Sequence, residues 1–401
     1  MLAKMFLAGL VSFAIGMVLM PVAIKFAARA GLVDVPNARK QHQMPTPLVG
    51  GIVIYLSLCA TNILFSQISW YFLGWMGFVL VVGVLDDLFD ISYRIRISAH
   101  AVVVFGIFLT DGLLVTNIGS IFWGLPAVDF FGLVAILFTA LGVIGGINSV
   151  NMVDGVDGLL ASLTLASLAV LVLFGVKSTY SDTAVSIGNI AMLIGAVGAF
   201  TVVNCRFFGL RRAMVFMGDA GSTVLGFFLV YALIEFSQAP TNAISPVLAG
   251  WILGMPLIDA SAVIANRVLD GKAPFHPDRK HLHHLLMDAG YSVNKTVVII
   301  LCAHVTMMVF ASSVYLMFGG IADPYLFWGF VALVLVRVAY GSSFGKVEIE
   351  KQELDGVSQE LPLEGAKQGT VAVGLGISES IEKSHRQVGV EDVERTSDPV
   401  N

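Results

Sequence analysis

Residues 130–176 read "FFGLVAILFTALGVIGGINSVNMVDGVDGLLASLTLASLAVLVLFGV". Apolar residues fill both ends of this stretch, whereas asparagine, aspartate and glycine interrupt its middle at 148–158. Each apolar end approaches the roughly 20 residues that a helix needs to cross the hydrocarbon core of a bilayer. Because an ionisable side chain costs several kcal/mol at the bilayer centre, the polar residues either lie at a membrane surface or have a role that offsets the cost.

The composition extends this interpretation to the whole chain. Of 401 residues, 57% are hydrophobic and 13% are charged, and the mean hydropathy is +0.85, whereas a soluble domain has about 25% charged residues. We therefore predict an all-α, polytopic integral membrane bundle with about 11 transmembrane helices and no nucleic acid partner. The eleven apolar runs are 5–28, 48–66, 70–85, 97–115, 129–147, 158–176, 184–203, 222–236, 245–264, 294–318 and 325–340.

The basic residues predict the orientation, because cytoplasmic loops retain arginine and lysine. Alternate loops divide them twelve to two, so the amino terminus is expected outside and the carboxyl terminus in the cytoplasm. Residues 341–401 carry twelve acidic and six basic side chains, which predicts a solvated, disordered tail after a membrane body at 1–340. The twelve basic residues are Arg29, Arg39, Lys40, Arg94, Arg96, Arg206, Arg211, Arg212, Arg267, Lys272, Arg279 and Lys280.

Five polar clusters fall on the cytoplasmic side of this topology. One cytoplasmic site built from several loops explains this placement. The clusters are "DVPNARKQHQMPTP" (34–47), "DDLFDISYRIR" (86–96), "NSVNMVDGVDG" (148–158), "FMGDAGS" (216–222) and "APFHPDRKHLHHLL" (273–286).

Three of the clusters supply carboxylates. Asp86 and Asp87 are adjacent, and burial would raise the pKa of one of them unless a cation lies near; either a neighbouring arginine, Arg94 or Arg96, or a divalent metal would provide it. Asn148, Asn151 and Asp154 recur every three residues, which in a helix places them on one side. Asp157 follows Asp154 at the same spacing, and Asp219 lies between two glycines. Magnesium is commonly held by one or two carboxylates together with substrate phosphates.

The fifth cluster concentrates histidine beside basic residues. His281, His283 and His284 follow Arg279 and Lys280. A cationic clamp on phosphates or sugar hydroxyls is the favoured interpretation, and a zinc site and a plain solvated loop are the alternatives. Adjacent histidines next to two cations are a poor zinc ligand set. In the first cluster, Lys40 and His42 are suited to a lipid phosphate.

Carboxylates, cations and a membrane surface together indicate an enzyme that transfers a phosphate-linked group between a soluble donor and a lipid. An ion-coupled transporter is the alternative, but transporters place their coupling residues near the bilayer midplane. In this chain the polar clusters stay at one face.

The ordered segments "RKQHQMPTPLVGG", "DDLFDIS", "NSVNMVDGVDGL", "FMGDAGSTVLGF" and "HPDRKHLHHLL" resemble the polyprenyl-phosphate N-acetylhexosamine-1-phosphate transferase family. The resemblance covers about residues 30–290. The form of the histidine segment is similar to the GlcNAc-1-phosphate branch. The resemblance implies transfer of GlcNAc-1-phosphate from UDP-GlcNAc to undecaprenyl phosphate with release of UMP, initiating O-antigen or a related surface polysaccharide. Another UDP-N-acetylhexosamine is the alternative donor.

The resemblance also implies a place and a cofactor. It suggests a multi-pass protein of the bacterial inner membrane with its active site on the cytoplasmic face, dependent on Mg²⁺ or Mn²⁺, and it suggests a homodimer. It gives Asp86 the role of base on the lipid phosphate, places Asp87 beside it for phosphate or metal, and makes Asp219 the leading magnesium ligand.

The remaining roles follow from the same resemblance. Asn151, Asp154 and Asp157 would line the nucleotide and metal pocket, with Asn148 supporting them. The donor diphosphate and sugar would be held by Arg279, His281, His283 and His284. The lipid phosphate would be held by Lys40, His42, Arg94 and Arg96.

Overall fold

The computed structural model describes residues 2–35, 44–66, 68–177, 187–274 and 279–360, with side chains up to residue 341. The described chain is mostly helical, as predicted. Its helices are α1 (Leu2–Ala30), α2 (Gly50–Phe65), α3 (Trp70–Phe89), α4 (Tyr93–Asp111), α5 (Gly132–Val153), α6 (Leu159–Lys177), α7 (Ile187–Asn204), α8 (Gly218–Ser237), α9 (Pro246–Ile252), α10 (Gly254–Leu269), α11 (Leu282–Asp288), α12 (Val293–Phe318) and α13 (Asp323–Glu360). Two short strands, β1 (Val33–Asp34) and β2 (Thr46–Pro47), pair antiparallel.

The chain divides into two compact units, residues 1–341 and 342–401. Everything described below lies in the first unit. In the second unit, α13 continues as far as Glu360, and residues 361–401 of the predicted tail lie outside the described residues. Lys40 and His42 also lie outside them, in the segment 36–43.

Every apolar run predicted from the sequence coincides with a helix. Eight stretches of the described chain are long and apolar enough to cross a membrane, and a ninth is added if α9 and α10 form one span. This count takes the 49 residues of Val293–Gly341 as one stretch. It does not include α2, which is a shorter apolar helix. The chain is therefore a polytopic helical membrane protein, while the number of crossings and the orientation stay predictions.

The ninth predicted run, 245–264, is not one straight helix. It divides into α9 and α10, which meet at 85°. The segment "LGMP" (253–256) accounts for the break. Pro256 has no backbone N–H and its ring obstructs a preceding helical turn, so it is tolerated in the first turn of α10 but not in the middle of a longer helix.

Helix α8 forms the centre of the bundle, since seventeen of its twenty residues are buried. Its first turn passes close to two other helices. A Cβ atom on Gly51 of α2 would overlap the backbone of Gly221, and one on Gly83 of α3 would overlap that of Ala220. Glycine permits this approach because it has no side chain. The approach fixes the amino end of α8, which carries Asp219.

The segment before α8 is held by backbone hydrogen bonds. The N–H of Phe216 donates to the carbonyl of Pro47 at 2.8 Å, and the N–H of Gly50 donates to the carbonyl of Phe216 at 3.1 Å. These bonds join "FMGDAGS" to the start of α2 and to the small sheet. Polar segments far apart in the sequence thereby come together at one end of the bundle.

Candidate active site

A cavity of about 710 Å³ lies where the polar ends of α3, α5, α8 and α11 meet. Residues from all five polar clusters line it. The first cluster contributes Asp34. The sequence-predicted residues that line it are Asp86, Asp87, Asn151, Asp154, Asp157, Asp219, Arg279 and His284.

Asp87 holds the amino end of α8. Its Oδ1 accepts a hydrogen bond from the N–H of Asp219 at 2.8 Å, and its Oδ2 accepts one from the N–H of Ala220 at 3.1 Å. A carboxylate at this position satisfies donors that have no partner within the helix and interacts favourably with the helix dipole. Gly218 has a φ of +71°, and a Cβ there would lie 2.6 Å from Asp87 Oδ2, so glycine is required at that turn.

Asn151 connects α5 to the same end of α8. Its Nδ2 donates to Asp219 Oδ1 at 2.5 Å and to Ser222 Oγ at 2.8 Å. Because α5 continues to Val153, Asn151 is in a helix, as the three-residue spacing predicted. This bond orients the Asp219 carboxylate at the cavity, which Asp219 lines.

Asp154 follows α5 directly and is half-buried. Burial, followed by the negative charges of Asp219, Asp87 and Asp157, raises the pKa of its carboxyl group to about 8. Among the described residues, no hydrogen-bond donor or cation pairs with this carboxylate. Crowded acidic groups of this kind favour a bound cation.

The donor chemistry fits Mg²⁺, although the site is not a complete coordination shell. In the described chain, no three His, Cys, Asp or Glu side chains lie together as a metal site. This finding does not support the zinc alternative for the histidine segment. Carboxylate and amide oxygens from Asp154, Asp219 and Asn151 fit a hard cation that takes its other ligands from phosphates and water.

Asp86 forms an ion pair with one of its two candidate arginines. Arg96 Nη1 lies 2.5 Å from Asp86 Oδ2, and the Asp86 side chain is buried. Arg94 instead contacts the hydroxyl group of Tyr93 at the exposed surface. Neither arginine lines the cavity, but Arg96 reaches it through Asp86.

Asp157 and Asn148 make internal contacts. Asp157 Oδ2 lies 2.7 Å from both Nε and Nη2 of Arg206 and accepts a bond from the N–H of Ala213 at 3.2 Å, which ties the turn after α5 to the loop after α7. Asn148 Nδ2 donates to the carbonyl of Ile144 in its own helix. Asp157 still borders the cavity, whereas Asn148 does not.

The histidines of the fifth cluster occupy different environments. His284 lines the cavity, and burial together with the charge of Arg279 lowers its pKa. His283 packs against Gly155 beside Asp154. Its pKa falls to about 3, first because of burial and then because of neighbouring His284, so it is neutral at physiological pH. Neither His281 nor His283 lines the cavity, because the loop places them behind it.

The two basic residues of this cluster are paired at the surface. Arg279 Nη2 lies 2.9 Å from Asp288 Oδ1, where both side chains are about half exposed. Lys280 pairs with Asp270. Arg279 lines the cavity nonetheless, and breaking its exposed ion pair costs little.

Several residues near the site were not predicted. Asp34, Asp90, Asn204 and Ser222 line the cavity, and Asp259 and Arg337 form a buried cluster with His281. A sequence signal existed for the last two residues, since an ionisable residue inside an apolar span is functional by default.

Comparison with known proteins defines the family. A family model described as "Glycosyl transferase family 4" matches residues 69–237. The undecaprenyl-phosphate alpha-N-acetylglucosaminyl 1-phosphate transferase of Escherichia coli (strain K12) is 39% identical over 288 residues, 70% of this chain and 76% of the relative. The proteins of the same name from Yersinia pestis and Pasteurella multocida are 36% identical, over 82% of this chain and 88% of the relative, and 35% identical, over 73% and 84%.

The chain belongs to glycosyl transferase family 4. It is a polyprenyl-phosphate sugar-1-phosphate transferase, which confirms the resemblance seen in the sequence motifs. The family model covers Asp86, Asp87, Asp154 and Asp219, and it ends before the histidine segment. The assignment to an enzyme family displaces the transporter alternative.

Proposed function

We propose that this transferase moves GlcNAc-1-phosphate from UDP-GlcNAc to undecaprenyl phosphate, releasing UMP and forming undecaprenyl diphosphate-GlcNAc. The product would initiate O-antigen or a related surface polysaccharide. The names of the relatives support the sugar and the lipid. One observation carries the proposal. The carboxylates of α3, of the turn after α5 and of α8 line the same cavity as Arg279 and His284 of the histidine segment.

The reaction forms one phosphorus–oxygen bond and breaks another. An oxygen of the lipid phosphate attacks the β-phosphorus of the donor and forms the new P–O bond. The bond from the β-phosphorus to the bridging oxygen breaks, and UMP leaves with the electron pair. Because the reacting groups are all anionic, the protein must bring negative charges together and stabilise them.

Asp219 and Asp154 would hold Mg²⁺, with Asn151 orienting Asp219. When bound there, Mg²⁺ would neutralise the diphosphate and stabilise the leaving UMP; Mn²⁺ has the same ligand preference for oxygen. Asp87 would position this site rather than supply a free ligand, because both of its oxygens accept backbone N–H groups.

Asp86 and Arg96 would serve the lipid phosphate. Their ion pair lies at the cytoplasmic end of α3 and α4 in the predicted topology, where the headgroup of a bilayer lipid would meet the cavity. A lipid phosphate would attract the Arg96 guanidinium, and the Asp86 carboxylate would accept a proton from a monoprotonated phosphate. Arg279 and His284 would contact the diphosphate and the sugar.

The proposed location is the bacterial inner membrane, with the cavity open to the cytoplasm. The twelve-to-two distribution of basic residues between the two sets of loops supports this orientation. A homodimer remains a prediction from family resemblance.

The donor is tested by incubating the full-length protein in detergent with undecaprenyl phosphate, Mg²⁺ and one sugar nucleotide at a time. Mass spectrometry of the lipid product identifies the transferred group. We expect undecaprenyl diphosphate-N-acetylhexosamine from UDP-GlcNAc, with UDP-glucose giving a much smaller yield. Product formed only from UDP-GalNAc or another UDP-N-acetylhexosamine would keep the reaction and correct the sugar.

A further inference from the structure

Three charged or titratable side chains form a buried cluster behind the cavity. Asp259 lies on α10, His281 precedes α11 and Arg337 lies on α13, and each exposes no more than 7% of its surface. None of them lines the cavity. An arginine buried within an apolar helix is costly unless its charge is compensated, so this cluster requires an explanation.

Asp259 is the hub of the cluster. Its Oδ2 lies 2.8 Å from His281 Nδ1. Its Oδ1 accepts bonds from Arg337 Nη2 at 2.8 Å and Nε at 3.1 Å. The Asp259 carboxylate compensates the positive charge of Arg337. It also favours the His281 tautomer that carries its proton on Nδ1.

Asp259 and Arg337 also form hydrogen bonds with the backbone that leads into α11. The N–H of Leu282 donates to Asp259 Oδ1 at 3.1 Å, and Arg337 Nη2 donates to the carbonyl of Lys280 at 2.6 Å. The peptide units on both sides of His281 are therefore tied to α10 and α13. Two residues further on, α11 places His283 against Gly155 and His284 in the cavity.

We propose that Asp259 and Arg337 are positioning residues that set the histidine segment against the carboxylate side of the active site. The inference rests on the proposed function only in assigning His284 and Arg279 to the donor diphosphate. Arg337 in α13 binds Asp259 and the Lys280 carbonyl. Asp259 in turn binds the N–H of Leu282. A helix that contributes no side chain to the cavity thereby controls its geometry.

The first test measures the position of the segment without any turnover. Hydrogen–deuterium exchange is followed by mass spectrometry on the full-length protein and on Arg337→Lys. Lysine keeps the buried positive charge but lacks the planar fork needed to contact Asp259 and the Lys280 carbonyl together. We expect faster exchange in the peptide covering 279–288 and unchanged exchange in the peptides of α3 and α5. Unchanged exchange at 279–288 would overturn the proposal.

The second test separates positioning from stability. Arg337→Gln leaves Asp259 buried without its cation, whereas the double variant Asp259→Leu/Arg337→Met removes both charges, a replacement that proteins often tolerate without loss of stability. We expect the double variant to have a higher Tm than Arg337→Gln while its kcat stays about 100-fold low, since a small misplacement of binding groups has an effect of this size. We also expect KM for undecaprenyl phosphate to be unchanged.

The outcomes are distinguishable from a failure of the proposed function. Wild-type kcat in a folded double variant would show that the cluster only stabilises the fold and would overturn the proposal. If both of these variants fail to fold, the Arg337→Lys comparison decides, with an expected kcat loss of about tenfold. If the wild type itself releases no UMP, the proposed function fails, while the exchange experiment still reports on the position of the segment.

Discussion

At the scale of single residues, the surroundings of Asp154 favour a cation in the proposed metal site. The pKa of its carboxyl group is raised to about 8 by burial and by three neighbouring aspartates. Without metal, the group therefore holds a proton at neutral pH and loses it as the pH rises through 8. A cation that binds Asp154 must displace this proton.

The sign of the resulting pH dependence follows directly. Lowering the pH below 8 should weaken the apparent Mg²⁺ affinity by up to about tenfold per pH unit. Titrating Mg²⁺ against UMP release at pH 6.5, 7.5 and 8.5 measures this change. In Asp154→Asn the affinity should be lower and its dependence on pH smaller. An apparent Mg²⁺ affinity that is equal at the three pH values in the wild type would contradict the role given to Asp154.

The sequence predicted most of the polar side chains that line the cavity, but not their partners. Asp86, Asp154 and Asp219 are visible as carboxylates that interrupt apolar runs. The choice of Arg96 rather than Arg94 as partner of Asp86 depends on where α4 begins, since residues two apart point to different sides of a helix. The capping of α8 by Asp87 joins residues 132 positions apart, which no local pattern encodes.

At the scale of elements, helix α8 carries the site because its first turn fits closely between α2 and α3. The contact depends on glycine, because a Cβ on Gly83 would overlap the Ala220 backbone, which has no flexible end to move away. Overpacking of this kind costs about 1–3 kcal/mol. It would also displace Asp219.

Gly83→Ala tests this contact, and Gly74→Ala is a matched control in the same helix. A Cβ on Gly74 meets nothing within 4 Å, so the control should keep the wild-type Tm and activity. Gly83→Ala should lower the Tm in thermal unfolding and reduce UMP release. Identical Tm values for the two variants would show that the approach of α3 to α8 is less tight than the structure indicates.

Element boundaries were harder to predict than the elements themselves. All eleven apolar runs became helices, because a long apolar run has few alternatives in a membrane. The bend of 85° between α9 and α10 was missed, although Gly254 and Pro256 mark it. Hydropathy averages over such residues, whereas helix geometry depends on the single missing N–H group.

At the scale of the whole molecule, the site is a property of topology. The residues that border the cavity are spread along the chain from Asp34 to Met287. Helices α2 to α10 separate them in the sequence. The basic residues of the loops predicted that the polar clusters share one face. The sequence also predicted one site built from several loops. The side chains that reach the cavity, and the support from α10 and α13 behind it, depend on tertiary packing that the sequence pattern does not contain.

The central claim is that this cavity transfers a sugar phosphate to a lipid. The most direct measurement is UMP release by the purified protein with UDP-GlcNAc, undecaprenyl phosphate and Mg²⁺, compared between Asp219→Asn and Asp129→Asn. Asp129 is an exposed aspartate that does not border the cavity. We expect release that requires both the lipid and the metal, a loss of about 100-fold or more in Asp219→Asn, and wild-type rates in Asp129→Asn. Wild-type turnover in a folded Asp219→Asn variant would contradict the assignment of the reaction to this cavity.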